Sequence, residues 1–180
     1  LTGEKATVGN DPFSDTDNPE ILKAYSLGVV KGVSEKEFAP NNNITRQELC
    51  VMLVRAIESI LGDEFILKYN FYKFEDGRDI ADWAFEQVYY AYEKGIVKGV
   101  GNNRIDPLGT ATCEQAIIMV CRLWKNIDEC KIVIPKEVID GHENYTYVNE
   151  TFKNIEKKYT DEKGYVLGEN VESVLNEIYS

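Results

Sequence analysis

Ala24-Tyr25-Ser26-Leu27-Gly28-Val29-Val30-Lys31-Gly32-Val33 returns 67 residues later as Ala91-Tyr92-Glu93-Lys94-Gly95-Ile96-Val97-Lys98-Gly99-Val100. The register holds beyond that stretch: Pro40 falls on Pro107, Thr45 on Thr112, Met52 on Met119 and Arg55 on Arg122, without a gap. Upstream it shifts by a few residues, where Phe13-Ser14-Asp15 corresponds to Phe74-Glu75-Asp76, and copy two takes a longer approach through Ile80-Ala81-Asp82-Trp83. Similarity of this extent marks one supersecondary unit used twice.

Each copy reads as helix, loop, helix. An Asp-rich opening leads into a first helix over roughly 19–27 in copy one and 82–94 in copy two, with Pro19 suited to a first helical turn. Gly28 and Gly95 end these runs, since glycine readily takes the left-handed conformation that closes a helix. The loop then reaches Phe38-Ala39-Pro40 or Ile105-Asp106-Pro107, and the residue before each proline is expected to be extended. In the second helix of copy one, Leu49, Met52, Leu53, Ala56, Ile57, Ile60 and Leu61 recur three and four apart along one face. Thr45-Arg46-Gln47-Glu48 opens that helix as a capping box, and Thr112 with Gln115 repeats the chemistry in copy two.

With 180 residues and a hydrophobic fraction of 43%, the chain can bury one ordinary core or two small ones. A net charge of −11 repels nucleic-acid phosphates and anionic membrane surfaces. Nucleic acid is therefore not expected as a partner, and no apolar run approaches the roughly eighteen residues of a membrane span. An anionic ligand would have to be held by single local cations and backbone donors. Cys50, Cys113, Cys121 and Cys130 fit no zinc or redox spacing and are expected as buried, small apolar side chains, with a disulfide left open.

Catalysis finds little support. His142 is the only histidine and has no partner in a recognisable spacing, and no nucleophile elbow, phosphate loop or metal-binding cluster is present, so neither cofactor nor metal is expected. Beyond about Asn126 there is no third copy; a strand at 130–134 and helices at 149–159 and 169–179 are expected. Asp161-Glu162-Lys163-Gly164 looks like part of a calcium loop, but setting Gly164 at the turn position puts Tyr159 where the first carboxylate should be. The chain thus divides into a tail of a preceding repeat or a linker (1–10), two repeats (11–66 and 67–126), and a linker or the start of a further domain (127–180).

The order Phe-x-Asp, Gly-Val/Ile-Val-x-Gly-Val, Phe-x-Pro and Ile-Thr-Arg-x-Glu resembles the S-layer homology repeat, over roughly 11–125. Copy one carries it as Phe13, Asp15, Gly28, Gly32, Phe38, Pro40 and Ile44-Thr45-Arg46-Gln47-Glu48; copy two as Phe74, Asp76, Trp83, Gly95, Gly99, Pro107, Thr112 and Arg122. The resemblance implies a mostly all-α fold of repeats set as a pseudo-threefold prism. It implies attachment of a secreted protein to secondary cell-wall polysaccharide, commonly pyruvylated, at the cell wall or S-layer of a Gram-positive type bacterium. It also implies three repeats where two are visible; Leu1-Thr2-Gly3-Glu4 is similar to the end of a preceding one. The partners it implies are the polysaccharide, that preceding repeat and a downstream domain.

By the same resemblance Arg46 is the ligand-contacting arginine, with Thr45 beside it. A cap needs no arginine there, and a positive charge in the first turn opposes the helix dipole. A guanidinium beside free helix N–H groups would suit a carboxylate such as a pyruvate ketal; the other reading is a structural ion pair with a nearby acid. Lys31 with Gly32 and Lys98 with Gly99 form loops in which a ligand could approach the backbone closely, or in which the lysines are simply solvated. Trp83 stands at the family's first-helix tryptophan, either stacking on a sugar or filling core. Cys113 stands where copy two should have its arginine, so that pocket is expected to be weak. Arg55 and Arg122 are expected to pack their stems and pair with acids, and Asn102 and Asn103 to serve a turn. Two functions follow: a wall anchor using Arg46, Thr45 and the 28–33 loop, or a degenerate scaffold that binds protein and no glycan.

Overall fold

The computed structural model describes residues 12–62 and 65–128. They form four α-helices, α1 (Pro19–Ser26), α2 (Arg46–Leu61), α3 (Phe85–Glu93) and α4 (Cys113–Asp128), with 3₁₀ turns at Gly77–Asp79 and Asp82–Ala84. Among the described residues there is no strand, only isolated bridges joining Thr45 to Thr110 and Gly101 to Arg104. The elements expected at 130–134, 149–159 and 169–179 lie outside the described residues, as do Leu1 to Glu4, Cys130, His142 and the calcium-like loop.

Local chemistry sets the helix ends. Asn18 caps α1, its side chain accepting from the Glu20 N–H, and Pro19 takes the first turn. The same closing bonds recur after α1 and α3: Gly28 N–H donates to Tyr25 and Gly95 N–H to Tyr92, while Val29 and Ile96 N–H reach Ala24 and Ala91. Gly28 and Gly95 have φ of 75° and 68°, as expected for helix-closing glycines. Asn102 and Asn103 are also left-handed, at φ 48° and 54°, and form the copy-two turn.

The residues before the prolines depart from expectation. Ala39 and Asp106 are not extended but left-handed, at φ 60° and 54°. The cause is the Phe-x-Asp motif. Asp15 accepts from the Phe38 and Ala39 N–H groups at 2.9 and 2.7 Å. Asp76 accepts from Ile105 and Asp106 at 3.0 and 2.8 Å. Two charge-assisted bonds to successive amides offset a backbone strain of about 1–3 kcal/mol, which pattern reading from proline alone misses.

The core lies between the copies. α2 packs chiefly on α3, and its Leu49, Cys50, Val51, Leu53, Val54 and Ile57 join one cluster with Phe74, Val88, Tyr89, Ile96 and Ile105. Burial on α2 is therefore broader than the expected stripe: Cys50, Val51 and Val54 are buried, whereas Met52, Ala56 and Ile60 are half-buried. α1 buries only Leu22, while α3 buries Val88, Tyr89, Tyr90 and Ala91. Cys50 and Cys121 are buried as expected, but Cys113 is exposed at the start of α4. Burial pushes the Cys50 thiol up to about 12, so it behaves as an apolar side chain.

Candidate functional site

Two features meet along α2: a buried junction at its start and an open groove on its outer face. Both halves of the capping box are present at Thr45, whose side chain and N–H pair with the Glu48 amide and carboxylate. The copy-two loop closes over this helix start. Arg46 and Gln47 N–H donate to the Gly109 and Pro107 carbonyls at 2.9 and 3.0 Å, and Ala111 N–H donates back to Ile44. Gln47 Oε1 accepts from the Ala81 N–H at 3.0 Å. The first N–H groups of α2, which a helix leaves without internal partners, thus find acceptors in the neighbouring repeat.

Arg46 completes the junction and is only 6% exposed. Its Nε donates to the Ile105 carbonyl at 3.0 Å, Nη1 to Gln115 Oε1 at 3.2 Å and Nη2 to the Lys98 carbonyl at 2.8 Å. The expected ion-pair alternative is replaced by neutral acceptors. Burial pulls the guanidinium below its ordinary value, with Cys50, Asp106 and Asp76 opposing and Arg122 adding to the effect. It stays charged all the same. In copy two, Thr112 Oγ1 accepts from the Gln115 N–H at 3.3 Å, while the Gln115 side chain turns its oxygen to Arg46. The second capping box is thereby diverted to holding the first copy's arginine.

Gly32 and Gly99 are required by the loops themselves. A Cβ on Gly32 would lie 2.6 Å from the Phe13 ring and 2.7 Å from the Glu37 carbonyl, and one on Gly99 would lie 2.6 Å from the Arg104 carbonyl. The room a side chain would need at these glycines is taken by the Phe13 ring and by backbone carbonyls.

The groove encloses about 700 Å³ between the copy-one loop, α2 and Trp83. Its floor is the α2 stripe Glu48, Val51, Met52 and Arg55, spaced as one helix face. Its walls include Lys31, Gly32, Phe38, Asn42 and Asn43. Trp83, 55% exposed, lies open to solvent rather than in the core. The structure thus brings Lys31, Gly32 and Trp83 together in the groove and places Arg46, Thr45, Lys98 and Gly99 at the junction. Arg55, expected to pack its stem and pair with an acid, lines the groove instead, and among the described residues it has no ion-pair partner. The signal for it was its position seven residues after Glu48, on the same face. Arg122 is buried, as expected of a packed stem. No cluster of potential metal ligands occurs among the described residues, and no helix there is long and apolar enough to cross a membrane.

Two helix-loop-helix units locked head to tail, with an exposed aromatic and cations along the shared groove, define a tandem-repeat helical module. The S-layer homology domain profile matches residues 12–50 and 73–117, and both repeats belong to that family. The chain is 35% identical over 127 residues to an endoglucanase of Bacillus sp. (strain KSM-635), covering 68% of this chain and 13% of that protein. It is 33% identical to exoglucanase XynX of Acetivibrio thermocellus, covering 67% and 11%. It is 32% identical to the surface-layer 125 kDa protein of Lysinibacillus sphaericus, covering 67% and 10%. The chain therefore spans only about a tenth of the length of these relatives. No solved structure matches it.

Proposed function

We propose that this chain is a non-catalytic anchoring module that holds a secreted bacterial protein at the cell wall by binding secondary cell-wall polysaccharide in the groove over α2. The carrying observation is the exposed Trp83 facing a groove lined by Lys31 and Arg55. An indole presents a flat apolar face to a sugar ring, and the two cations suit an acidic substituent such as a pyruvate ketal. The shared segment also occurs in two glucanases and a surface-layer protein, so what these relatives have in common is not the hydrolysis for which two are named. In this reading 11–66 and 67–126 are two repeats of a pseudo-threefold prism, working at the surface of a Gram-positive type cell.

Titration with polymer acid-extracted from Gram-positive walls, followed by calorimetry, is expected to saturate. Arg55→Ala and Trp83→Ala each weaken binding roughly tenfold. Heat indistinguishable from dilution, or an affinity indifferent to both substitutions, contradicts the proposal. The burial of Arg46 at the junction favours a second reading, a scaffold that packs on protein alone; retention of protein partners without polymer binding would select it.

A further inference from the structure

The segment between the two repeats carries an aromatic ring that its own pattern should have buried. Phe65, Leu67 and Tyr69 alternate inward against the shared core, while Ile66, Lys68 and Asn70 face solvent. Continued by one step, the alternation would put Phe71 inside. Phe71 is instead 72% exposed, and Tyr72 turns inward in its place.

The exposed ring is held flat. It stacks on buried Tyr89 with centroids 5.4 Å apart and planes 14° from parallel, and lies against Phe85 at 6.4 Å and 29°. The backbone on either side is tied to α3. The Tyr89 hydroxyl donates to the Tyr72 carbonyl at 2.8 Å, and the Asn70 side-chain amide donates to both Glu93 oxygens at 2.9 and 3.1 Å. The Tyr72 hydroxyl donates to Glu93 as well. A ring supported from below in this way and still exposed presents its opposite face to solvent.

The surroundings are polar. Exposed Glu86 accepts from the Tyr69 hydroxyl at 3.4 Å, and Glu93 stands seven residues on, about 10 Å along the helix axis, with Tyr89 between them. The Tyr72 hydroxyl holds the Glu93 carboxyl below its ordinary value, against burial and together with Asn70, so it is ionised at neutral pH. Lys68, Asn70 and Lys73 are exposed on the segment itself. One flat ring with a hydrogen-bonding border lacks the contiguous apolar area by which a protein partner is held. It matches a ligand with an apolar face and a hydroxyl rim. In β-linked glucopyranose the ring hydroxyls are equatorial, which leaves axial C–H groups on both faces and donors around the edge. The two carboxylates accept from such hydroxyls and disfavour a sugar bearing an acidic substituent.

We propose that Phe71, bordered by Glu86 and Glu93, is a carbohydrate platform that takes the face of an uncharged, β-linked glucopyranose chain. It shares no residue with the groove of Trp83, Lys31 and Arg55, has the opposite charge preference, and does not depend on the reading of that groove.

The test is titration of the chain with cellohexaose, read by ring and amide chemical shifts. Saturable shifts at Phe71 and Tyr89 are expected, with a Kd of about a millimolar. Phe71→Ala should weaken binding roughly tenfold with circular dichroism unchanged, because the ring is mostly exposed, and Glu86→Gln should weaken it several-fold. Trp83→Ala should leave it unaltered. A hexamer of galacturonic acid should not shift Phe71. No shifts with cellohexaose, shifts confined to the Trp83 groove, or equal response of Phe71 to the acidic hexamer would overturn the platform. So would concentration-dependent dimerisation abolished by Phe71→Ala, which would make a second copy of the chain the occupant.

Discussion

Arg46 shows how a residue can be legible in kind but not in use. Its unusual place in the first turn flagged it from the sequence, because neither capping nor the helix dipole asks for a cation there. Its acceptors, the Lys98 and Ile105 carbonyls, are more than fifty residues away and bear no side-chain signature, so their role could not be read from spacing. Truncation leaves buried carbonyls without donors, and Arg46→Ala is expected to cost about 3 kcal/mol in urea unfolding. Arg46→Lys should recover little of that loss, because an ammonium cannot match three acceptors placed for a planar fork. A loss below about 0.5 kcal/mol would indicate a solvated side chain.

The aspartates of the Phe-x-Asp motifs make a pH prediction. Phe38 and Ala39 N–H groups lower the Asp15 carboxyl; at Asp76 burial raises it, but the Ile105 and Asp106 amides and Arg104 outweigh that and leave it lowered. Each therefore binds its proton less readily folded than unfolded. Their stabilisation is complete above the ordinary carboxylate value of about 3.9 and is lost as pH falls through the lowered folded values. Asp76→Asn should flatten the acid limb of stability against pH, and Asp76→Ala should cost about 3 kcal/mol at neutral pH. The exposed Asp15 should give a smaller loss. An unchanged acid limb in Asp76→Asn would contradict this account.

Among the elements, α2 is the most legible in the sequence. Thr45 and Glu48 set the start of α2 by local chemistry alone, so the capping box was readable without tertiary information. Thr45→Ala is expected to lower stability by about 1 kcal/mol. The two-sided burial of α2 was not readable from its own stripe, because Val51 and Val54 join a hydrophobic cluster shared with residues of the second copy. The loop residues Ala39 and Asp106 depart from the extended conformation expected before proline because the constraint comes from an aspartate more than twenty residues upstream, which overrides the preference set by the following proline. Gln115→Ala should destabilise the junction and α2 more than it disturbs the start of α4, as hydrogen exchange of the Arg46 and Gln47 amides would show. Faster exchange confined to α4 would contradict that assignment.

At the scale of the molecule, the repeat disclosed the architecture because gapless similarity from Ala24 to Arg55 with their counterparts, through the loop and into the second helix, does not readily arise by chance. What it could not disclose was that the helices of copy one do not share one core of their own: α2 belongs to the hydrophobic cluster of copy two. The two repeats should accordingly unfold in one transition, with tryptophan emission and far-ultraviolet circular dichroism coinciding; separate midpoints would contradict a shared core. The anchoring claim itself is tested most directly by co-sedimentation of the chain with Gram-positive cell-wall sacculi, before and after acid extraction of the secondary polymer. Pelleting that is lost on extraction, and reduced by Trp83→Ala with unchanged circular dichroism, is the predicted result. Pelleting that survives extraction, or no pelleting at all, would contradict the account.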